Sequence, residues 1–270
     1  MKHLLLCFTL SASLFAGSTG YVPNPLRWIR SQTRDYRNAQ YKMGEALPEE
    51  FDLRKEGNGL APVRNQGSCG SCWWFSTKSA MEDAVKIADN KDIEISAQWG
   101  IDCEPARFSG CQGGDIAADK LKAPYGSVYE GEYPLPYSAS NDRCETDWLK
   151  EANRYHEQIK DWAYVGKSVE EIQAAIFSKH SVMITIAGNQ MGADSNGWVN
   201  YCRTGMINHL VLVVGWREGS KWGKAKGPWW IIKNSWGTSE ADDGYYYIQA
   251  RKNGTFCSSI GSDRDIGVLD

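Results

Sequence analysis

The sequence lacks long hydrophobic runs and basic excess, and it has only 4 histidines and 9 prolines in 270 residues. Beyond the N-terminus no stretch approaches the roughly 18 apolar residues that indicate a membrane-spanning helix, so no membrane span is expected. A net charge of −3 argues against non-specific nucleic-acid binding, which needs a basic face. Repeats and low-complexity tracts are also absent, while 42% apolar and 23% charged residues are typical of a globular chain.

The N-terminus has the composition of a signal peptide. Lys2 and His3 precede the apolar run 4–10, and small residues follow to about Gly20. The next segment, residues 21–46, carries a net charge of +3, and Leu47-Pro48 then marks an extended break. We therefore expect a signal peptide at 1–18, a short segment at 19–46 and one folded domain at 47–270. The chain is expected to be secreted or exported, to the extracellular space or periplasm, or to a lysosome or vacuole in a eukaryote.

Because export leads to an oxidising compartment, the number of cysteines predicts how many disulfides form. Removal of Cys7 with the signal peptide leaves Cys69, Cys72, Cys103, Cys111, Cys144, Cys202 and Cys257. An odd number predicts three disulfides and one remaining thiol. Six paired cysteines allow 15 connectivities, and spacing alone does not choose among them.

The apolar pattern changes along the chain from helical to strand-like. Residues 71–88 have helical spacing, and Val169 to Phe177 is predicted as a short helix with Ser168 and Glu171 as a capping box. Residues 103–144 are rich in Gly, Pro and Cys and are predicted as loops. Strand-like runs follow at 182–186, 210–214, 229–232 and 245–248. Early helices and late strands predict an α+β fold with two segregated halves.

Cys69-Gly70-Ser71-Cys72 allows three interpretations. A redox dithiol would need a preceding strand, but the residues before it are turn-like. A zinc site would need a second Cys-x-x-Cys or a histidine pair, and the sequence has neither at a suitable spacing, so no metal is expected. In the third interpretation Cys69 is in a disulfide and Cys72 keeps its thiol. A helix N-terminus there would lower the pKa of that thiol, as a nucleophile needs.

A thiolate nucleophile needs a proton partner, normally histidine, and three histidines remain after the signal peptide. His156 lies in a charged segment and is predicted on the solvated surface. His180 lies just before a strand and is predicted in a turn. His209 begins the run 210–214, where a rigid strand would hold a catalytic base in register.

Four motifs in order resemble those of the papain-like cysteine peptidases, the family of papain and the cathepsins. They are Gln66-Gly67-Ser68-Cys69-Gly70-Ser71-Cys72-Trp73, Cys111-Gln112-Gly113-Gly114, Asn208-His209 with the apolar run after it, and Lys233-Asn234-Ser235-Trp236-Gly237. Leu47 to Arg54 also resembles the mature N-terminus of that family. The resemblance spans residues 47 to about 257.

The resemblance implies a papain-like two-lobed fold, with a helical lobe, a β-barrel-like lobe and the active-site cleft between them. It makes residues 19–46 a propeptide and 47–270 the peptidase domain. Carried over by position, the implied disulfides are Cys69–Cys111, Cys103–Cys144 and Cys202–Cys257, which leave Cys72 as the thiol.

The implied chemistry is endopeptidase hydrolysis through a Cys-His-Asn triad and a thioester acyl-enzyme. Cys72 would attack the peptide carbonyl, His209 would move the proton, and Asn234 would orient the imidazole. Gln66 and the backbone N–H of Cys72 would bind the oxyanion. The implied substrate-binding residues are Gly113, Gly114, Asp115, Ile116, Asn208 and Trp236. The expected partners are protein or peptide substrates, with no cofactor, and the chain is expected to be a monomer.

Four residues depart from the family pattern: Trp74 replaces a usually small residue, Asp115 and Ile116 follow the Gly-Gly pair, and Glu240 stands where a second Trp is frequent. They put specificity rather than the triad in question. Two other classes remain, a catalytically silent binding protein on this fold and a thiol–disulfide oxidoreductase using Cys69 and Cys72. Acyl transfer or ligation by the same triad is a further variant.

Overall fold

The structure is a computed structural model that describes residues 46–103, 110–122, 124–150, 155–160, 162–165, 168–188, 191–202, 207–251, 254–255 and 267–269. The expected signal peptide and nearly all of the expected propeptide lie outside these ranges. Cys257 lies outside them as well.

The first half of the described chain is helical. Helix α1 spans Cys72–Asp89, α2 spans Ala97–Asp102 and α3 spans Thr146–Leu149, with 3₁₀ turns at Gly110–Gln112 and Ala118–Leu121. The predicted helix at 71–88 is thus confirmed, and α1 ends where Asn90 turns left-handed and donates its N–H to the Lys86 carbonyl. The sequence did not predict α2, which begins where the Ser96 hydroxyl accepts from the N–H of Trp99.

The second half is built around an antiparallel sheet. The described strands are β1 (Phe51–Asp52), β2 (Trp162–Tyr164), β3 (Val182–Ile186), β4 (Met191–Ala193), β5 (Val199–Cys202), β6 (His209–Glu218), β7 (Pro228–Lys233), β8 (Tyr245–Arg251), β9 (Gly254–Thr255) and β10 (Gly267–Leu269). The main sheet has the order β2-β10-β3-β6-β7-β8-β9, with β1 added to β6, while β4 and β5 form a separate pair. Helix α4 (Val169–Phe177) carries the predicted capping box of Ser168 and Glu171. The α+β two-lobed fold is therefore confirmed.

Buried charges join α1 to the sheet. The Lys233 ammonium donates to the Asp83 carboxylate at 2.6 Å and to the Ala61 carbonyl at 2.8 Å. The Ser181 hydroxyl donates to the other oxygen of Asp83 at 2.7 Å. Both members of the ion pair are almost fully buried. Because Lys233 ends β7 and directly precedes Asn234, this pair fixes the end of the strand that carries Asn234 against the helix that begins at Cys72.

Trp74, the first departure from the family pattern, is accommodated by a glycine on the neighbouring helix. Its indole is fully buried, donates to the Ser96 carbonyl at 3.1 Å and meets Trp99 edge-on, with ring centroids 5.4 Å apart. A Cβ added to Gly100 would lie 1.9 Å from two atoms of that indole. Only a residue without a side chain fits there, so the space left open at Gly100 is filled by the large indole of Trp74.

His156 lies at the surface, as predicted, and its ring also has specific partners. It stacks on Tyr129 with centroids 4.0 Å apart, and its Nε2 lies 2.6 Å from a Glu132 oxygen. Lys91 approaches the same tyrosine and pairs with Glu157 at 2.6 Å. The charged residues around His156 therefore form a tied surface cluster, far in sequence from the cysteine and histidine motifs.

Candidate active site

Cys72 is the first residue of helix α1. The turn before it has Gly67 at φ 57°, and the N–H groups of Trp74 and Phe75 both bond to the Ser71 carbonyl, which begins the helix. The Cys72 thiol is fully buried. At this position the helix dipole stabilises a thiolate.

His209 and Asn234 lie side by side in the sheet half. His209 is the first residue of β6, Asn234 follows the last residue of β7, and imidazole Nε2 lies 2.8 Å from Asn234 Oδ1. The same oxygen accepts from the N–H of Ser235 at 2.8 Å. A carbonyl oxygen only accepts, so Nε2 carries the hydrogen and Nδ1 is the basic nitrogen. Trp236 stacks on the imidazole with centroids 4.8 Å apart.

Burial governs the charge of His209. The imidazole is fully enclosed, which lowers its pKa from 6.5 to about 4, and the bond to Asn234 offsets part of that effect. Within the described residues Nδ1 has no hydrogen-bond partner. A buried neutral imidazole of this kind takes up a proton only when a nearby anion stabilises the charge, and a thiolate at Cys72 is such an anion.

The two halves meet at the peptide of Leu210, the residue after His209. Its N–H donates to Cys72 Sγ at 3.4 Å, and its carbonyl accepts from the Ser76 hydroxyl at 2.6 Å. Cys72 and Ser76 are four residues apart and share one face of α1. On one side of β6, Leu210 pairs with Thr185 of β3, whereas on the other side the pairing with β7 starts only at Leu212, and helix side chains take the place of that strand at Leu210. This contact, which the sequence analysis missed, joins the first turns of α1 to the strand residue that follows the imidazole.

Gln66 lies in the turn before Cys72 and is held by several hydrogen bonds. Its side-chain N–H donates to the Cys69 carbonyl at 2.8 Å, and its side-chain oxygen accepts from the Ser235 hydroxyl at 2.6 Å. Its backbone N–H bonds to the Ser235 carbonyl at 2.9 Å. Gln66 is thereby placed between the start of α1 and the residue after Asn234, and its side chain is fully buried.

The Gly-Gly loop lies beside the same helix end. Gly113 has φ 105°, which favours glycine, and a Cβ on Gly114 would lie 2.7 to 2.9 Å from the Trp73 indole. Gly114 is therefore required by packing against the protein itself, a reason separate from the substrate-binding role that the resemblance implies. Asp115 is half-buried and accepts from the N–H of Ile116, whose side chain is buried.

The remaining predicted residues lie around the imidazole. Asn208 is half-buried, and its side-chain oxygen has no hydrogen-bond partner among the described residues. Gly188, which the sequence analysis did not single out, lies so close that an added Cβ would be 2.7 Å from the Cβ of His209. Only the structure reveals this contact, because 21 positions separate the two residues along the chain.

The cysteines fall into bonded and unbonded positions. Disulfides join Cys69 to Cys111 and Cys103 to Cys144. Cys202 is also disulfide-bonded, and Cys257, its expected partner, lies outside the described residues. The Cys69–Cys111 bond ties the turn before α1 to the Gly-Gly loop, as does the bond from Gly70 N–H to the Cys111 carbonyl at 3.2 Å.

Two further searches cover the described part of the chain. It contains no helix that is both long and apolar enough to cross a membrane. It also contains no group of three or more His, Cys, Asp or Glu side chains arranged to hold a metal ion.

Comparisons with known proteins agree with this geometry. The chain is 34% identical over 209 residues to the senescence-specific cysteine protease SAG12 of Arabidopsis thaliana, covering 76% of this chain and 57% of that protein. It is 32% identical to bovine (Bos taurus) pro-cathepsin H over 235 residues, covering 84% of this chain and 67% of that protein. The chain thus spans about three fifths of the length of the curated relatives it matches.

Solved structures give the same result. The digestive procathepsin L2 proteinase of Tenebrio molitor larval midgut superposes with a TM-score of 0.66 at 27% identity, covering 84% of this chain and 69% of that one. The proform of the ragweed pollen cysteine protease Amb a 11 superposes with a TM-score of 0.68 at 28% identity, covering 85% and 67%. The family model described as papain family cysteine protease matches residues 47–263. The chain belongs to the papain family of cysteine proteases.

Proposed function

We propose that this chain is an exported cysteine endopeptidase that hydrolyses peptide bonds with Cys72, His209 and Asn234. One observation carries the proposal: a buried thiol at a helix N-terminus contacts the backbone beside a buried imidazole that is bonded to Asn234. A nucleophile, a proton carrier and an orienting group are the three parts that thiol catalysis needs.

The reaction proceeds in two stages. The Cys72 thiolate attacks the peptide carbonyl, and the protonated His209 gives its proton to the leaving amine as the C–N bond breaks. Water then attacks the thioester, His209 accepts its proton, and the thiolate leaves as the carboxylic acid is released. The side-chain N–H of Gln66 and the backbone N–H of Cys72 stabilise the oxyanion in both stages, and one such donor contributes roughly 100- to 1000-fold in rate.

The test compares Cys72→Ala and His209→Ala with His156→Ala, which removes a histidine outside the site. The first two variants are expected to lose hydrolysis of an internally quenched peptide almost completely, because nucleophile and base act as a unit. His156→Ala is expected to keep it. Full activity in folded Cys72→Ala would refute the proposal.

Thiol counting separates the peptidase from an oxidoreductase. With Cys69 bonded to Cys111, iodoacetamide is expected to label one cysteine, Cys72, in the oxidised protein, and to do so at mildly acidic pH. An oxidoreductase using Cys69 and Cys72 would show no thiol before reduction and two after it. A silent binding protein would show a thiol with ordinary reactivity and no turnover.

The endopeptidase mode rests on the loops. No insertion separates Gln66 from Cys72, and no long insertion follows Gly114, so the loops that turn some family members into exopeptidases are absent at these two places. Peptides blocked at both termini are expected to be cut internally. Cleavage restricted to peptides with one unblocked terminus would identify an exopeptidase.

We propose that Gly113 and Gly114 pair with an extended substrate backbone, and that Asp115 and Ile116 meet the second side chain before the cut. A carboxylate beside a buried isoleucine favours Arg or Lys, whose stem follows the apolar wall to the charge. Asp115→Ala is expected to lower kcat/KM for Arg at that position by roughly 10- to 100-fold relative to Leu. Equal losses for Arg and Leu would show that Asp115 does not select the substrate.

Asn208 and Trp236 are proposed to border the substrate beside the imidazole. We further propose that residues 1–18 are removed on export and 19–46 on activation near Leu47, the first residue matched by the family model. The +3 charge of residues 21–46 then predicts weak inhibition by a synthetic 21–46 peptide that disappears at high salt. Tight inhibition at all salt concentrations would contradict an electrostatic mode of docking.

A further inference from the structure

Tyr137 holds both ends of the turn that connects Gln66 to the catalytic helix. Its phenol donates to the backbone carbonyl of Gln66 at 2.6 Å, and the Ser71 hydroxyl lies 3.2 Å from the same phenol oxygen. Ser71 directly precedes Cys72. A single hydroxyl therefore bonds to the first residue of the turn and to the last residue before the nucleophile.

The phenol itself is held rigidly. Its ring meets Phe75 edge-on with centroids 5.3 Å apart, and Phe75 is a buried residue in the first turn of α1. Two prolines precede it at 134 and 136 and restrict the backbone. Burial raises the pKa of Tyr137, so its hydroxyl remains a protonated donor across the pH range of a peptidase.

The backbone of Gln66, from which its side-chain amide extends, is held in part by this hydroxyl. The backbone of Gln66 is bonded on one side to the Ser235 carbonyl and on the other to Tyr137. The Cys72 N–H, the second oxyanion donor of the proposed mechanism, lies at the other end of the turn. Loss of the Tyr137 bond leaves the Gln66 carbonyl with the longer bond from the Cys69 N–H, at 3.4 Å, and removes one of the restraints that fix the spacing of the two donors.

We propose that Tyr137 is a positioning residue for the oxyanion-binding pair formed by the Gln66 amide and the Cys72 N–H. The inference rests on the proposed function, and it names a residue that touches no reacting atom. Misplacement of an oxyanion donor weakens the transition state while leaving the nucleophile intact, which gives the proposal a specific kinetic signature.

The test compares Tyr137→Phe with Tyr133→Phe, a matched deletion in the same segment. The Tyr133 hydroxyl accepts from the N–H of Glu145 and does not contact the turn. Tyr137→Phe is expected to lower kcat by about 10-fold, less than loss of a whole oxyanion donor, with KM changed by less than about 2-fold. The rate of iodoacetamide alkylation of Cys72 is expected to stay at the native value, because alkylation forms no oxyanion.

A double substitution gives the decisive result. If Tyr137 acts through Gln66, the pair Tyr137→Phe and Gln66→Ala is expected to be no more than about 2-fold slower than Gln66→Ala alone. Multiplied losses, an equal fall in alkylation, or an unchanged kcat would each overturn the proposal. Native alkylation also reports a folded site in the variant. Failure of the proposed function is distinguishable, since it would appear as full activity in Cys72→Ala.

Discussion

Gly100→Ala should destabilise this protein, although glycine-to-alanine changes within helices ordinarily stabilise by about 0.5–1 kcal/mol. The new methyl group would lie 1.9 Å from the buried Trp74 indole, so either the ring or helix α2 must move. Overpacking of this kind costs roughly 1–3 kcal/mol. We expect a net loss of about 1–2 kcal/mol and a fall in Tm of about 2–4 °C per kcal/mol. Urea denaturation of the inactive Cys72→Ala protein, which cannot digest itself, measures this change.

The control makes the Gly100→Ala substitution in a variant that lacks the Trp74 indole. Trp74→Ala restores the small residue usual in the family and leaves a cavity, at a cost of about 3–5 kcal/mol. In that background Gly100→Ala is expected to change sign and stabilise by up to about 1 kcal/mol. The coupling between the two substitutions should therefore be about 2 kcal/mol. If Gly100→Ala stabilises the parent protein, or acts equally in both backgrounds, the packing argument is refuted.

Three further predictions concern buried polar groups. The pKa of His209 is lowered to about 4 in the folded protein against 6.5 in the unfolded chain, so the unfolded chain binds the proton first. Stability of Cys72→Ala, which lacks the thiolate, should thus fall by up to about 3 kcal/mol between pH 6.5 and 4 in urea titrations, and His209→Gln should abolish that slope. Lys233→Met should cost about 3–5 kcal/mol, because it leaves the Asp83 carboxylate buried without its cation; a protein as stable as the parent in urea would contradict this. Ser76→Ala removes the donor to the Leu210 carbonyl and should slow the alkylation of Cys72 at acidic pH. An unchanged pH profile of that alkylation would argue against a role of Ser76 in aligning the thiol with the imidazole.

Local signals account for what the sequence predicted well. The helix from Val169 to Phe177 was predicted at its exact bounds because its capping box and apolar spacing lie within ten residues. Helix Ala97–Asp102 was missed because six residues are too few for a periodic pattern, and Ser96 was its only local signal. The lengths of the strands also differed, since β6 extends to Glu218 through pairing with β1 and β7.

The candidate site also has a part that the sequence predicted and a part that it did not. The motif pattern selected Cys72, His209, Asn234 and Gln66, and the structure brings all four together. The contacts that align them join residues far apart in the chain: Ser76 reaches the strand 134 positions later, and Tyr137 reaches back 71 positions. No periodicity or spacing signals such pairs, because they depend on how the two halves pack.

The ion pair of Asp83 and Lys233 also determines how the molecule melts. Its carboxylate belongs to the helical half and its ammonium to the sheet half. If one half unfolded alone, the charge in the other half would stay buried without its counter-ion, which is costly. The two lobes should consequently lose structure in one cooperative step, with a single calorimetric peak whose van't Hoff and calorimetric enthalpies agree. For a protease this coupling has a biological benefit. Partial unfolding, which would expose the chain to cleavage by other copies of the same protease, becomes as rare as complete unfolding.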